Sequence, residues 1–429
     1  MRWLERQLDR LRGRMAELPD PRRGRNRRYA MADIGLAALS VFFLQSPSFL
    51  AHQRTLAVRL GNSNAHTLFG LDRIPSDNHV RQTLDGVPPA HFDALFTGLA
   101  AELDAAGALD GMRRLGGRAL IALDGTEYFR SRKIHCPNCS TRKRGDGGTE
   151  HFHQVLAATL VAPGRNLALP LPPEFLAPRE GHDKQDCERA AAKRWLARIG
   201  PQCAALRPVY LGDDLYACQP VCRAIQASGG NFLLTAKPAS HKTLHEYLQG
   251  VSPDTLRTTE GRGARRRVHR YRWMTGLPLR DGDDALRVNW FEIEIALPNG
   301  KVTYRNGFVT DLDVTAGNVA ELAACGRARW KIENETFNVL KQRGYHLEHN
   351  FGHGKKTLAS VLVALNLLAF ALHTACDLAE AQWRQARERL GSRARLFEHM
   401  RSIVCYQLFP SWAALVSLLA TGSPPPQPP

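Results

Sequence analysis

The sequence has no regular cysteine framework and no apolar leader. Its nine cysteines are spread over 429 residues without the spacing of a disulfide scaffold. The first residues, MRWLERQLDRLRGRM, are charged and lack the apolar h-region of a signal peptide. Both absences argue against a secreted, disulfide-bonded protein. We therefore expect a cytoplasmic protein whose thiols are free or bind a metal.

Acidic residues are also scarce. Asp and Glu number 41 against 58 Lys and Arg, which leaves a formal net charge of +17. A field of that size favours a polyanionic partner, and nucleic acid is the leading candidate because phosphate neutralisation supplies most non-specific affinity. The alternative is a soluble protein that happens to be basic.

Only one apolar run, Thr357 to Cys376, is long enough to suggest a membrane span. It contains Ser360, Asn366 and His373 and lies late in a basic chain. These features favour a buried core helix, so we expect no membrane partner.

The spacing of apolar residues predicts helices at both ends and a mixed α/β core between them. A short apolar strand that ends in Asp124 is predicted within RALIALDGTEYF, residues 118–129. Further strands are predicted at 151–163, 165–173, 207–214 and 231–238, with helices at 183–200 and 216–229. From 239 to 304, alternating residues and the turn Asn299-Gly300 predict β-hairpins inserted into that core. The stretch 318–345 is predicted to be one long helix.

Two acids follow apolar strands: Asp124 ends LIALD and Asp213 ends VYLGD. Ligands bind α/β sheets at the carboxyl ends of strands, so two such carboxylates can converge on a cation. Taken alone, either aspartate could instead be a turn residue or a helix cap, and Asp214 could be that cap after the second strand.

A third acid lies on the predicted long helix. Arg329, Glu333 and Lys341 share one face, which can place a carboxylate at a metal and two cations toward phosphates. The alternative is an exposed helix with an Arg329–Glu333 ion pair. Two Asp and one Glu suit Mg²⁺ or Mn²⁺, and two such ions about 3.5–4 Å apart can activate a water or a 3′-hydroxyl on a phosphodiester.

These motifs, LDGTEYF, LGDDLYA and RWKIENETFNVLKQRGYHLEHNFGHG, resemble those of the DDE transposases of bacterial insertion sequences over about residues 118–376. In that superfamily the two Asp end the first and fourth strands of a ribonuclease H-like fold, the second often as Asp-x-x-Tyr. The Glu lies on a helix with the pattern Tyr-x2-Arg-x3-Glu-x6-Lys. Asp213 with Tyr216, and Arg329 with Glu333, match. Gly326 stands at the Tyr position and Lys341 is one residue late, so Glu335 stays open as the alternative glutamate.

The resemblance implies an α/β fold with a ribonuclease H-like mixed sheet core, a β-rich insertion, a helical N-terminal domain and a helical C-terminal region. The expected layout is a helical DNA-binding or dimerisation region at 1–115, a catalytic domain at 116–238 and 305–376 with the insertion at 239–304, a helical region at 377–422 and a disordered tail at 423–429.

The resemblance also implies an activity. Asp124, Asp213 and Glu333 would bind two Mg²⁺ or Mn²⁺ ions, cleave DNA at the ends of an insertion sequence and transfer the strands into target DNA. The partner would be double-stranded DNA in the bacterial cytoplasm, at the nucleoid. At least a homodimer would hold the two ends together. Two alternatives stay open: a relative that binds DNA without cutting it, and a metal-dependent nuclease without strand transfer.

A second metal site is indicated by HCPNC, where Cys136 and Cys139 form a Cys-x2-Cys pair, followed by His151 and His153. Such a set can hold zinc tetrahedrally, with Cys187 as a further candidate ligand. The alternative is a loop with reduced thiols. His346, His349 and His353 could form another metal cluster, but their Gly-rich setting favours a DNA-facing or capping loop.

Basic residues near these motifs are candidates for DNA contact. Besides Arg329 and Lys341, they are Arg142, Lys143 and Arg144 in the first loop, and Arg265, Arg266, Arg267 and Arg270 in the densest basic run. The basic segment 18–29 could contact phosphates or be a solvated linker. Trp195 and Trp330 are predicted to be packing residues.

Overall fold

The computed structural model describes residues 2–23, 27–58, 60–178 and 186–423. The chain forms a mixed α/β protein with helices at both ends and one large sheet between them. Six described α-helices precede the sheet: α1 (Arg2–Ala16), α2 (Met31–Phe43), α3 (Phe49–Ala57), α4 (Gly61–Phe69), α5 (Asp77–Leu84) and α6 (Asp93–Ala105). Part of the basic segment 18–29, the start of the helix expected at 183–200 and nearly all of the tail 423–429 lie outside the described residues.

The sheet has eleven strands in the order β2-β3-β1-β6-β7-β11-β10-β9-β8, with β4 and β5 beside β3. They are β1 (Leu120–Ser131), β2 (Ser140–Lys143), β3 (Thr149–Val161), β4 (Leu169–Pro170), β5 (Glu174–Leu176), β6 (Val209–Gly212), β7 (Asn231–Thr235), β8 (Asp254–Glu260), β9 (Arg267–Pro278), β10 (Arg287–Ala296) and β11 (Val302–Thr310). Strand β6 runs parallel to β1 and β7, and the other described pairs are antiparallel.

Helices connect the parallel strands, as parallel pairing requires a crossover. Helix α7 (Glu188–Arg198) precedes β6, and α8 (Gln219–Ala227) joins β6 to β7. Both β6 and β7 are almost entirely buried, which explains their unbroken apolar sequences.

The hairpins predicted at 239–304 are present, but they continue the same sheet. Helix α9 (Lys242–Gln249) comes first, and β8 to β11 then follow as antiparallel strands. The last of them pairs with β7, with Phe308 opposite Thr235. Edge-to-edge pairing with the core satisfies backbone groups that a separate sheet would leave exposed.

The first strand is longer than predicted. Strand β1 continues seven residues past Asp124, to Ser131, and pairs with β3 along its length. The prediction that this strand ends at Asp124 is therefore wrong, because antiparallel pairing with β3 keeps the polar continuation GTEYFRS extended. The parallel pairing with β6, by contrast, stops at Ala122.

The single long helix predicted at 318–345 is interrupted. The chain forms α10 (Val319–Arg327), a 3₁₀ turn at Ala328–Trp330, a π-helical turn at Ile332–Phe337 and α11 (Asn338–Gln342). A π-helical turn widens the hydrogen-bonding ring by one residue and is often found at functional sites. Glu333 and Glu335 both lie on this turn.

The C-terminal helices pack against the N-terminal ones around α12 (Leu358–Ala379). Among the described helices, α12 alone is long and apolar enough to cross a membrane, and 89% of its most apolar window is buried. Phe43 of α2 lies edge-on against His373 of α12, with ring centroids 4.5 Å apart. The helices that follow are α13 (Ala381–Leu390), α14 (Arg393–Ile403) and α15 (Trp412–Thr421).

Candidate active site

The two predicted aspartates lie on neighbouring parallel strands, Asp124 within β1 and Asp213 just past the end of β6. Ala122 of β1 and Leu211 of β6 point into the same apolar core and lie opposite each other in parallel register. Asp124 follows two residues after Ala122 within β1, so strand alternation directs it to that face. Asp213 lies just past the end of β6, where it accepts a hydrogen bond from the Leu215 N–H at 2.8 Å, as a turn residue does, and its charge raises the pKa of the nearby Glu188 carboxyl.

The interrupted helix covers the same face. Ala328 and Ile332 pack into the core that contains Ala122. The Arg329 guanidinium lies between two of the predicted carboxylates, with NH1 3.4 Å from Asp124 Oδ2 and 3.0 Å from Glu333 Oε1. The expected Arg329–Glu333 pair is thus formed, and the same buried arginine links Glu333 to the sheet.

Glu188 is a fourth acid at this site, and it was not predicted from the sequence. It lies in the first turn of α7 and accepts a hydrogen bond from Tyr216 Oη at 3.2 Å. A Cβ on Gly125 would collide with its carboxylate, so the glycine after Asp124 leaves the space that Glu188 fills. No local pattern around Glu188 signals this role, which arises from its tertiary contacts with Gly125 and Tyr216.

Crowding of acids in a buried place alters their protonation. Burial, together with the Glu333 and Glu188 carboxylates, raises the pKa of Asp124 to about 7, although Arg329 opposes the shift. Burial and the nearby Asp213 also raise the pKa of Glu188, against the hydrogen bond from Tyr216. Carboxylates that repel one another in this way favour a bound cation.

Two neighbouring acids do not belong to this group. Asp214 accepts hydrogen bonds from Lys237 N–H at 2.6 Å and from Ser240, so it holds the end of β7 rather than capping α8. The N-cap of α8 is Cys218, without a side-chain hydrogen bond. Glu335 lines a different cavity, with Arg343 and Arg393.

The Cys/His loop forms a compact cluster, but with a different second histidine. Cys136, Cys139, His153 and His353 are all buried, and their ligand atoms lie within 4.8 Å of one another. His151 instead stacks on His135, with ring centroids 4.5 Å apart. Of the four residues expected to bind zinc, His151 is therefore not in the cluster, and His353 takes its place.

Cys187, the further candidate ligand, is exposed and begins α7. Within the cluster, hydrogen bonds from Cys139, His153 and His353 hold the pKa of the Cys136 thiol far below its usual range. Burial opposes this shift.

The basic residues of the first loop are engaged in ion pairs. Arg142 contacts Glu127 and Glu150, and Arg144 NH1 lies 2.7 Å from Glu150 Oε1. Lys143 Nζ donates to Thr149 Oγ1 at 3.3 Å. Both arginines are partly exposed, but the Glu150 side chain that they share is only 7% exposed, so a phosphate would have to compete with a buried carboxylate for them.

The densest basic run lies at the start of β9. Arg265 and Arg266 are exposed, and Arg267 begins the strand, half-buried. Arg270 NH1 pairs with Glu294 Oε1 at 2.7 Å on the adjacent strand. Lys341 pairs with Glu348 at 3.0 Å and does not reach the carboxylate group. DNA contact by these residues stays a prediction.

The two tryptophans differ. Trp195 is fully buried and donates to Pro172 O at 2.6 Å, as expected of a packing residue. Trp330 is 50% exposed, so its assignment to the core is wrong. The 3₁₀ turn rotates it outward, and the Arg329 guanidinium stacks 4.8 Å from its ring centroid.

No protein-family model and no curated protein matches the chain.

Proposed function

We propose that the protein is a DDE transposase with a ribonuclease H-like core, which cleaves DNA at the ends of an insertion sequence and joins them to target DNA. The observation that carries the proposal is the contact of one buried guanidinium, that of Arg329, with both Asp124 and Glu333, while Asp213 follows the neighbouring parallel strand β6. Three segments distant in sequence supply this group.

The sheet supports the finer fold assignment. Strand β1, which carries Asp124, lies beside and parallel to β6, which ends at Asp213. If the two very short strands β4 and β5 are left out, β6 is the fourth strand along the chain, as the resemblance implies. Along the chain, the strands β8 to β11 lie between the two aspartates and the interrupted helix that carries Glu333, the glutamate helix.

The donor set fits divalent cations. Asp124, Asp213, Glu333 and the adjacent Glu188 offer carboxylate oxygens, which Mg²⁺ and Mn²⁺ prefer over the nitrogen and sulfur ligands of zinc. Bound by these residues, two such ions would activate the attacking water or 3′-hydroxyl and stabilise the leaving oxygen of the phosphodiester.

The protein's own residues would position this chemistry. Arg329 orients Glu333 and offsets part of the negative charge while Asp124 is ionised. The hydrogen bond from Tyr216 fixes Glu188 beside Gly125. The basic surface, with a net charge of +17 over the chain, would attract the DNA backbone.

The proposal is tested with a plasmid that carries the gene and its native flanking DNA. The full-length protein is incubated with the plasmid and Mg²⁺ or Mn²⁺, and the breaks are mapped. We expect breaks at the element boundaries with wild type and none with Asp124→Asn. Equal cutting by the variant would contradict the assignment of Asp124.

The joining step separates this function from its alternatives. Insertion of the released ends into a second plasmid is expected of a transposase. Cleavage without joining would indicate a nuclease, and binding without cleavage in either metal would indicate a non-catalytic DNA-binding protein.

A further inference from the structure

Four buried side chains with no part in the carboxylate chemistry meet near the end of β1. Cys136 and Cys139 lie in the loop between β1 and β2, His153 on β3, and His353 in the segment between α11 and α12. Each is at most 8% exposed. Buried thiols and imidazoles of this number rarely gather without a shared partner, because each polar group needs one.

The distances between their ligand atoms are those of a tetrahedron. The two Sγ atoms are 3.9 Å apart, and the two Nε2 atoms are 3.2 Å apart. The sulfur-to-nitrogen distances from His153 to both cysteines and from His353 to Cys139 are 3.4 to 3.6 Å. Around a tetrahedral zinc with bonds of about 2.3 Å to sulfur and about 2.0–2.1 Å to nitrogen, the expected separations are about 3.8 Å between sulfurs, about 3.3 Å between nitrogens and about 3.6 Å between sulfur and nitrogen.

Neighbouring groups favour the metal-binding forms of these side chains. Nδ1 of His353 lies 3.0 Å from Gly354 O, and donation to that carbonyl leaves Nε2 as the free lone pair directed into the cluster. The Cys136 N–H points to Cys139 Sγ at 3.5 Å, a contact that stabilises a thiolate. The ring of Tyr128 stacks parallel to His153 at 5.6 Å and shields it from solvent.

We propose that Cys136, Cys139, His153 and His353 bind one structural Zn²⁺. Four protein ligands leave no open position for substrate, which distinguishes a structural zinc from a catalytic one. The site is separate from the carboxylate group, and it does not depend on the proposed transposase activity.

The zinc would join segments that are far apart in sequence. His353 follows His153 by 200 residues. Around the cluster, Asn138 Nδ2 donates to Lys356 O at 2.6 Å, and Asp85 accepts N–H bonds from Lys355 and Thr357. The metal would thus fix the segment after the glutamate helix to the strand that carries Asp124.

Metal content and cobalt spectra of the full-length protein test this site. Wild type purified without added metal should contain about one zinc per chain. After exchange with Co²⁺, it should show the intense visible bands of tetrahedral cobalt and a thiolate-to-cobalt charge-transfer band. Absence of zinc together with an octahedral or absent cobalt spectrum in wild type would overturn the proposal.

Matched variants identify the ligands. Cys139→Ser and His353→Ala should lose most of the bound zinc, whereas Cys187→Ser and His151→Ala should keep it. If His151→Ala lost the metal and His353→Ala retained it, the proposed ligand set would be wrong. Because the wild-type cobalt spectrum needs no substitution, the test stands even if a ligand variant fails to fold.

Discussion

At the scale of single residues, the site depends on charge held in a small buried volume. Asp124 is flanked by Glu188 and Glu333, and only Arg329 among the groups that shift its pKa offers positive charge. Such a group binds a proton or a metal ion more readily than an isolated carboxylate does. Protonation and metal binding should therefore compete at Asp124.

This competition predicts how stability changes with pH. The folded-state pKa of Asp124 is raised from 3.8 to about 7, so the folded protein holds a proton that the unfolded chain has released. In metal-free buffer, the free energy of unfolding should fall as pH rises from about 4 to about 7, by at most about 4 kcal/mol at about 1.4 kcal/mol per pKa unit. Denaturant melts of wild type and Asp124→Asn across this range measure it.

The Asp124→Asn variant is the reference because it cannot titrate at this position. The difference in stability between variant and wild type should grow with pH and shrink again when Mn²⁺ is added. A pH-independent difference would show that Asp124 ionises normally in the folded protein.

The sequence did not reveal the role of Glu188 or the partners of His353, for a physical reason. Glu188 and His353 lie in segments with ordinary local patterns, a helix N-terminus and a Gly-rich loop. Their roles arise only from tertiary contacts, with Gly125 in one case and with Cys139 in the other. Asp124, Asp213 and Cys136 could be predicted because strand ends and Cys-x2-Cys spacing are local signals.

At the scale of elements, hydrophobic pattern predicted most strands and helices but not where they end. Strand β6 follows its apolar run closely, since it is buried on both faces. Strand β1 continues beyond its apolar run because its partner β3 is long enough to pair with all of it. The π-helical turn has no periodic signature in the sequence, and it changes which side chains of the glutamate helix are exposed, as Trp330 illustrates.

The junction of the C-terminal helices depends on one buried ion-pair network. Asp377, near the end of α12, contacts Arg387 of α13 and Arg393 of α14, the latter at 2.6 Å. The Asp377 side chain is only 2% exposed. Removal of its charge would leave two arginines without their counter-charge in a largely buried place.

We therefore expect Asp377→Asn to lower the free energy of unfolding by about 3–5 kcal/mol, the usual cost of breaking a buried pair. Chemical denaturation monitored by circular dichroism measures the change. The exposed Asp283→Asn in the loop before β10 is the matched control and should change stability by less than about 0.5 kcal/mol. Equal effects of both substitutions would show that the network contributes little.

At the scale of the whole molecule, the positive charge is the property most relevant to a DNA partner. The chain carries a formal net charge of +17. In the basic run before and within β9, Arg265 and Arg266 are exposed, and Arg270 is held in an ion pair with Glu294. Surface pairs are weak and exchange readily, so phosphates can replace the glutamates. Affinity for DNA should then be dominated by release of counterions.

This predicts a steep salt dependence of DNA binding. The logarithm of the association constant should fall linearly with the logarithm of salt concentration, with a slope near −0.9 per phosphate contacted. Arg265→Ala and Arg266→Ala should each reduce the slope by about 1. Fluorescence anisotropy with duplex DNA measures it, and Arg395→Ala on α14 is the control. A slope unchanged in both variants would remove this basic run from the DNA interface.

The proposed catalytic site requires Glu333 and not Glu335, although both lie on one π-helical turn. Glu333 is linked to Asp124 through Arg329, whereas Glu335 lines another cavity. Strand cleavage of the plasmid with native flanks is measured for Glu333→Gln and Glu335→Gln, with circular dichroism to verify that both fold. We expect Glu333→Gln to lose cleavage and Glu335→Gln to retain it. Cleavage by Glu333→Gln at the wild-type rate would rule out Glu333 as the catalytic glutamate.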